Sequence, residues 1–274
     1  MLARSYPVNL PLPSQTRVSD RVLSQWPEGV ARHILETVDS TNAEALRLAP
    51  SFSGPAWILA RKQVSGRGRR GRAWSDPPGN FAASLVFRPQ NGPAEAARFS
   101  FVASLALHDA LVQLCGPMMN VALKWPNDVL LNGGKLSGIL LESAGAAGQI
   151  SVLVIGIGVN LAAAPPQEQV ESHALRPVSL LQETGIRVTP EEFLDALASA
   201  FDHWQRQMRD YGFVPIQQAW MARAAKLGEV IVARTGTTET TGTFEGIDET
   251  GALILVTAQG RQAIPAADIY FSGG

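Results

Sequence analysis

The chain has 274 residues, 46% hydrophobic and 17% charged, with a formal net charge of −1. That length allows one large domain and a small one, and a charge near zero excludes a protein whose overall field attracts nucleic acid. No stretch reaches the roughly 18 apolar residues that a membrane span requires, and a single cysteine, Cys115, excludes a disulfide framework and fits a cytoplasmic setting.

Residues 1–30 contain Pro7, Pro11, Pro13 and Pro27 and lack the basic start and unbroken apolar run of a secretory signal. They read as an extension lying over the main domain. Ser40, Thr41 and Asn42 precede a short helical run, as a capping triplet would. Residues 57–60 and 81–87 read as buried strands, with a basic loop between them. Residues 94–114 carry apolar side chains at helical spacing and stop at Gly116-Pro117. Cys115, at the end of that run, reads as a buried apolar thiol.

Residues 121–125 form the next predicted strand. Asn132-Gly133-Gly134 then joins two apolar runs, 129–131 and 136–142, as a hairpin turn. Residues 150–159 suit a central strand, and 162–177 a loop. Thr189-Pro190-Glu191-Glu192 is a capping box with proline at the first helical position, opening a helix that ends at Gly212. A second helix is expected to reach Lys226. Beyond Gly228, short β-type runs at 229–234, 241–247, 253–257 and 262–264 are separated by glycine turns, as in a small barrel. The expected organisation is an extension (1–30), a mixed α+β domain (31–226) and an all-β domain (227–274).

Six basic residues and no acidic ones lie between Arg61 and Arg72. Guanidinium groups pair with carboxylate or phosphate through parallel hydrogen bonds, and Gly66, Gly68 and Gly71 permit positive φ and close backbone approach. The segment matches G-x-G-x-x-G, but a dinucleotide fold needs a helix opening directly after it. The run Ser75-Asp76-Pro77-Pro78-Gly79 cannot supply one. The loop alone leaves three readings open: a small-anion site, a nucleic-acid contact and a solvated basic loop.

A second cluster follows: Lys124-Trp125-Pro126-Asn127-Asp128, then Lys135-Leu136-Ser137-Gly138-Ile139-Leu140-Leu141-Glu142. Taken with Ser40-Thr41-Asn42, Gln63, the arginine loop and Gly156-Ile157-Gly158-Val159-Asn160, in this order, it closely resembles the biotin–protein ligases. The resemblance covers roughly residues 33–270. It implies an α+β catalytic domain, similar to that of class II aminoacyl-tRNA synthetases and lipoate ligases, and a C-terminal barrel of Src-homology-3 type.

The resemblance also implies roles. Ser40, Thr41, Asn42, Gln63, Arg67, Gly68, Arg69, Lys135 and Gly138 fall on the biotin side. Arg69, Arg70, Arg72, Trp74, Asn127, Lys135 and Asn160 fall on the ATP and adenylate side. Lys135, Arg67, Arg69 and Asp128 are the catalytic candidates, Asp128 as a group that could orient the incoming lysine or as a plain turn residue. The implied substrates are biotin and ATP, with Mg²⁺ on the phosphates. The implied acceptor is the biotin carboxyl carrier protein of acetyl-CoA carboxylase. Trp125 is a core residue first, with a flat wall against biotin as a second role. No metal-ligand cluster is expected, and His33, His108, His173 and His203 read as structural.

Some members of the family carry a helix-turn-helix domain ahead of the catalytic part. Only 39 residues precede Ser40 and they are Pro-interrupted, so no repressor function and no DNA partner are expected. A homodimer is left open. Two other readings compete: a lipoate–protein ligase, and a non-catalytic nucleic-acid-binding module.

Overall fold

The structure is a computed structural model. It describes residues 25–271 except 91, 147, 172–173 and 237. Most of the expected N-terminal extension, and His173, lie outside the described residues.

The larger sheet has seven strands. These are β1 (Ala31–Leu35), β2 (Ala56–Ala60), β3 (Phe81–Phe87), β4 (Val121–Lys124), β5 (Asp128–Leu131), β6 (Gly134–Ala146) and β7 (Gln149–Val159). Their order is β1-β2-β3-β7-β6-β5-β4; β1 and β2 run parallel and every other pair is antiparallel. The run read as a central strand is therefore in the middle, between β3 and β6. Asn132 and Gly133 take φ of 50° and 78° in the β5–β6 turn, the left-handed conformations that a two-residue hairpin needs.

Alternation along the strands separates two faces. From β2, β3 and β7, Trp57, Leu59, Phe81, Leu85, Ile155 and Val159 join the main core. That face is covered by α2 (Gly92–Cys115) and α4 (Pro190–Tyr211), and α5 (Phe213–Met221) packs against both helices. The opposite face puts Ile58, Val86 and Val154 under α1 (Thr41–Leu48), around Ala45 and Ala49. Farther along the same face, β3 and β7 carry Ser84, Gly156 and Gly158 in place of large side chains. This is where the sheet leaves room for a ligand.

The capping box at Thr189 forms with both of its hydrogen bonds. A short α3 (Leu180–Thr184), capped by Ser179, was not expected. The second predicted helix ends at Met221, not Lys226, because the chain is drawn to the sheet edge. Leu123 N–H donates to Arg223 O (2.8 Å) and Ala225 N–H to Leu123 O (2.8 Å). Cys115 is half-buried, not buried, and packs on the rim of the core.

The smaller sheet contains β8 (Val230–Thr235), β9 (Thr238–Ile247), β10 (Leu253–Thr257), β11 (Gly260–Ile264) and β12 (Asp268–Phe271). All pairs are antiparallel, in the order β11-β10-β9-β8-β12. β12 was missed in the sequence. Ile231, Phe244, Leu253 and Ile269 belong to the same core as α2 and α5, so apolar burial ties the small sheet to the large domain. Among the described residues no helix is long and apolar enough to cross a membrane.

Candidate active site

A cavity of about 540 Å³ opens on the sheet face that carries the small residues. Every residue expected in the site lines it except Arg70. Its two ends differ in chemistry.

At the α1 end, Ser40, Thr41 and Asn42 are 5%, 4% and 3% exposed. Ser40 occupies the N-cap position but makes no capping hydrogen bond. The first helical N–H is taken instead by Gln63, whose Oε1 accepts from Thr41 N–H (2.8 Å) and Thr41 Oγ1 (3.1 Å). Gln63 is held in turn by its own N–H donating to Asp76 Oδ2 (2.9 Å). Burial pushes the Asp76 carboxyl above its ordinary value, and hydrogen bonds from Gln63 oppose that shift.

Beneath them, the Ser84 hydroxyl donates to Asn42 Oδ1 (2.6 Å) and lies 2.8 Å from Thr41 Oγ1. Asn42 Nδ2 donates to Glu142 Oε2 (2.8 Å). A Cβ at Gly156 would overlap the Asn42 side chain, and one at Gly158 would overlap the Trp74 indole. The two glycines are spaces reserved for those side chains.

At the other end, Asp128 is 9% exposed, with Lys135 Nζ 2.7 Å from one oxygen and Lys124 Nζ 3.7 Å from the other. Burial alone would raise the Asp128 carboxyl. The charges of Lys135 and Lys124, with the Lys135 hydrogen bond, outweigh it and hold the group ionised below its ordinary value. Burial lowers Lys124, against the pull of Asp128. Arg69 reaches Asn127 Oδ1 (3.3 Å), and Asn127 Nδ2 donates to Ile139 O (2.8 Å). Burial also lowers Arg69, with Asp268 and Asp128 opposing. Arg72 pairs with Glu171 (2.8 Å) on the 162–177 segment. Five cations and three carboxylates line the cavity. Arg67 faces Glu142 at the α1 end (3.5 Å), and the other four cations still outnumber the carboxylates, so the loop end carries spare positive charge.

Several expectations need correcting. Of the three loop glycines only Gly71 has positive φ (73°), while Arg70, a non-glycine, takes φ 57°. Gly66 serves close approach: a Cβ there would stand 3.0 Å from the Trp74 carbonyl oxygen. Trp125 is not a cavity wall. Its indole is 3% exposed, with Nε1 donating to Gly251 O (3.0 Å) across to the small sheet, next to the cis Trp125–Pro126 bond. The flat ring against the cavity is Trp74, lying on Gly138 and Gly158. Arg70 is outside the lining and pairs with Asp268 at its edge (2.7 Å). Asn160 lines the cavity, but its Nδ2 is committed to Val178 O (3.1 Å), holding the wall together.

Sequence reasoning gave no role to Lys124, Ser84 or Asp268. The lone hydroxyl in an otherwise apolar strand was the available signal for Ser84. Among the described residues no group of three His, Cys, Asp or Glu could hold a metal ion. His33 packs on Phe52, His108 on Asp109, and His203 on Trp204.

Comparisons with known proteins identify the family. The profile of the Biotin/lipoate A/B protein ligase family matches residues 34–160, and that of the Biotin protein ligase C terminal domain matches 226–272. The biotin–[acetyl-CoA-carboxylase] ligase of Paracoccus denitrificans is 61% identical over 240 residues, covering 88% of this chain and all of that protein. The bifunctional ligase/repressor BirA of Escherichia coli is 33% identical over 90% of this chain and 75% of its own length. Among solved structures, the biotin protein ligase of Aquifex aeolicus in complex with biotin and ATP superposes with a TM-score of 0.73 at 25% identity. It covers 87% of this chain and 97% of its own. The chain belongs to the biotin protein ligase family.

Proposed function

We propose that the chain joins biotin to ATP as biotinyl-5′-AMP, releasing pyrophosphate, and then transfers the biotinyl group to a lysine of a biotin carboxyl carrier protein. The observation that carries this reading is the two-ended cavity: neutral, mutually bonded groups at one end and surplus cations at the other. That division suits an uncharged ring system whose tail ends in a carboxylate beside a polyphosphate.

In the first half-reaction the biotin carboxylate attacks the α-phosphorus of ATP. The nucleophile is already an anion near neutral pH, so no general base is required. The obstacle is repulsion between a carboxylate and a polyphosphate. Lys135, fixed by Asp128, together with Arg67 and Arg69, neutralises that charge and aligns the reactants. Lys124 joins this set, since its ammonium shares Asp128 and lines the cavity. MgATP is the substrate form we propose. The two carboxylates at this end that bridge its cations, buried Asp128 and half-buried Asp268, are engaged by lysines and arginines, so the ion would travel on the phosphates.

In the second half-reaction a neutral lysine amine attacks the mixed anhydride and expels AMP. Asp128 is a buried carboxylate of the cavity lining, and with both oxygens facing lysines it serves better as the support for Lys135 than as a proton acceptor. The Trp74 indole and the arginine loop would cover the adenylate and keep water from the anhydride. Within this reading the acceptor is the carrier of acetyl-CoA carboxylase and the setting is the cytoplasm. No repressor role is included, because a net charge of −1 gives no global attraction to DNA.

The test is biotin-dependent exchange of labelled pyrophosphate into ATP. Exchange that appears with biotin and not with lipoate supports the proposal; exchange with lipoate alone contradicts it.

A further inference from the structure

The arginines of the loop already have a shared partner. Arg70 Nη1 and Arg72 Nη2 stand 2.7 and 3.1 Å from Asp268 Oδ2, and Arg69 Nη1 stands 3.8 Å from Oδ1. Asp268 opens β12 in the small sheet, and its side chain is only 13% exposed. Arg69 Nη1 also reaches the carbonyl of Ala267, at 3.5 Å. One short segment of the small sheet thus meets three consecutive cations of the loop, about two hundred residues away in sequence.

Three guanidinium groups brought this close repel one another, and a loop of that charge would splay without a counter-ion. Arg70 also holds a left-handed conformation, uncommon for a non-glycine residue and kept only where surrounding contacts fix it. The contact its side chain makes is with Asp268. A guanidinium carries five N–H donors. Asp268, itself part of the cavity lining, takes one from Arg70 and one from Arg72 on the same oxygen, Oδ2. Arg69 and Arg72 both line the cavity, and these contacts leave other N–H donors on each guanidinium.

We infer that Asp268 is a positioning residue for nucleotide binding: its carboxylate gathers the arginine loop into receiving shape before ATP arrives. The inference rests on the ATP reading given above. A carboxylate that merely competed with phosphate for the same arginines would act in the opposite direction, which makes the sign of one measurement decisive.

Asp268→Asn keeps the size and removes the charge. In biotin-dependent pyrophosphate exchange its KM for MgATP should rise about tenfold, the loss of one charge-assisted contact. The KM for biotin should stay within about twofold of the parent value, and Asp268→Glu should recover most of the loss. In an Arg70→Ala background the same substitution should change the KM for MgATP much less. Without any ligand, trypsin should cut after Arg69, Arg70 or Arg72 faster in Asp268→Asn than in the parent.

An unchanged or lowered KM for MgATP in Asp268→Asn overturns the inference. So does an equal loss for both substrates with a lowered melting midpoint, which would mean damage to the small sheet. If the parent protein shows no biotin-dependent exchange, the ATP reading fails instead. The trypsin comparison, which needs no substrate, then still decides whether Asp268 holds the loop.

Discussion

At the α1 end of the cavity, Thr41, Asn42, Gln63 and Ser84 bond to one another, and each is carried by an element of the large domain. At the loop end, Lys124, Lys135 and the arginines face too few carboxylates, and one of those carboxylates belongs to the small sheet. The first end is complete without a ligand and gains shape selectivity from its rigidity. The second is incomplete until an anion arrives, so its binding energy is spent on charge. The contrast teaches that affinity for the ring system and activation of its carboxylate are separable, and substitutions should divide them.

The largest expected effect is at the charged end. Lys135→Ala removes a donor aimed at developing negative charge, worth about 3–4 kcal/mol, so adenylate formation should fall roughly 10²–10³-fold. Binding of biotin methyl ester, which lacks the carboxylate, should hardly change by calorimetry. Equal losses in both assays would break the division.

Next is the neutral end. Gly156→Val drives a branched side chain into the space of Asn42. Overpacking of this kind costs about 1–3 kcal/mol, so biotin should bind about 5–150-fold more weakly while the KM for MgATP holds. Ser84→Ala strands the Asn42 Oδ1 acceptor and removes the neighbour of Thr41 Oγ1, and should lower stability by about 1–2 kcal/mol in urea denaturation. An unchanged urea midpoint would show that the Ser84 bonds carry no stability.

A pH series sharpens the contrast further. The folded carboxyl of Asp128 lies below its ordinary value of 3.8 because two lysines outweigh its burial. A depressed carboxylate contributes stability that is fully present above its unfolded value and lost as pH falls through the folded one. Asp128→Asn should therefore lose stability at pH 6–7 and show a shallower further decline than the parent below about pH 4. Urea midpoints between pH 3 and 7 measure this, and parallel curves would contradict it. The smallest effect belongs to the exposed Arg47–Asp39 pair beside α1. Arg47→Ala should cost under about 1 kcal/mol.

Much of this was legible in the sequence, for identifiable reasons. β2 and β3 are buried along their whole length, so continuous apolar runs announced them. Asn132-Gly133 and the capping box at Thr189 carry their conformations locally. β1 and β12 escaped notice because they are short edge strands, half-exposed and without clear alternation. Lys135, Gln63 and Asn127 stood in recognisable runs, and they meet in one cavity. Asp268 could not be found that way, since its meaning lies in contacts with arginines far off in the chain. Trp125 marks the limit of motif reading: it is the core residue expected first, its ring fastening the two sheets together, while the second role as a ligand wall falls to Trp74.

The central claim is tested most directly by incubating the full chain with labelled biotin, MgATP and a biotin carboxyl carrier domain, then denaturing and separating the proteins. The account predicts ATP-dependent label on the carrier, stable to hydroxylamine as an amide is, with one AMP released per biotin attached. Absence of label on the carrier, or label that forms equally well without ATP, would contradict it.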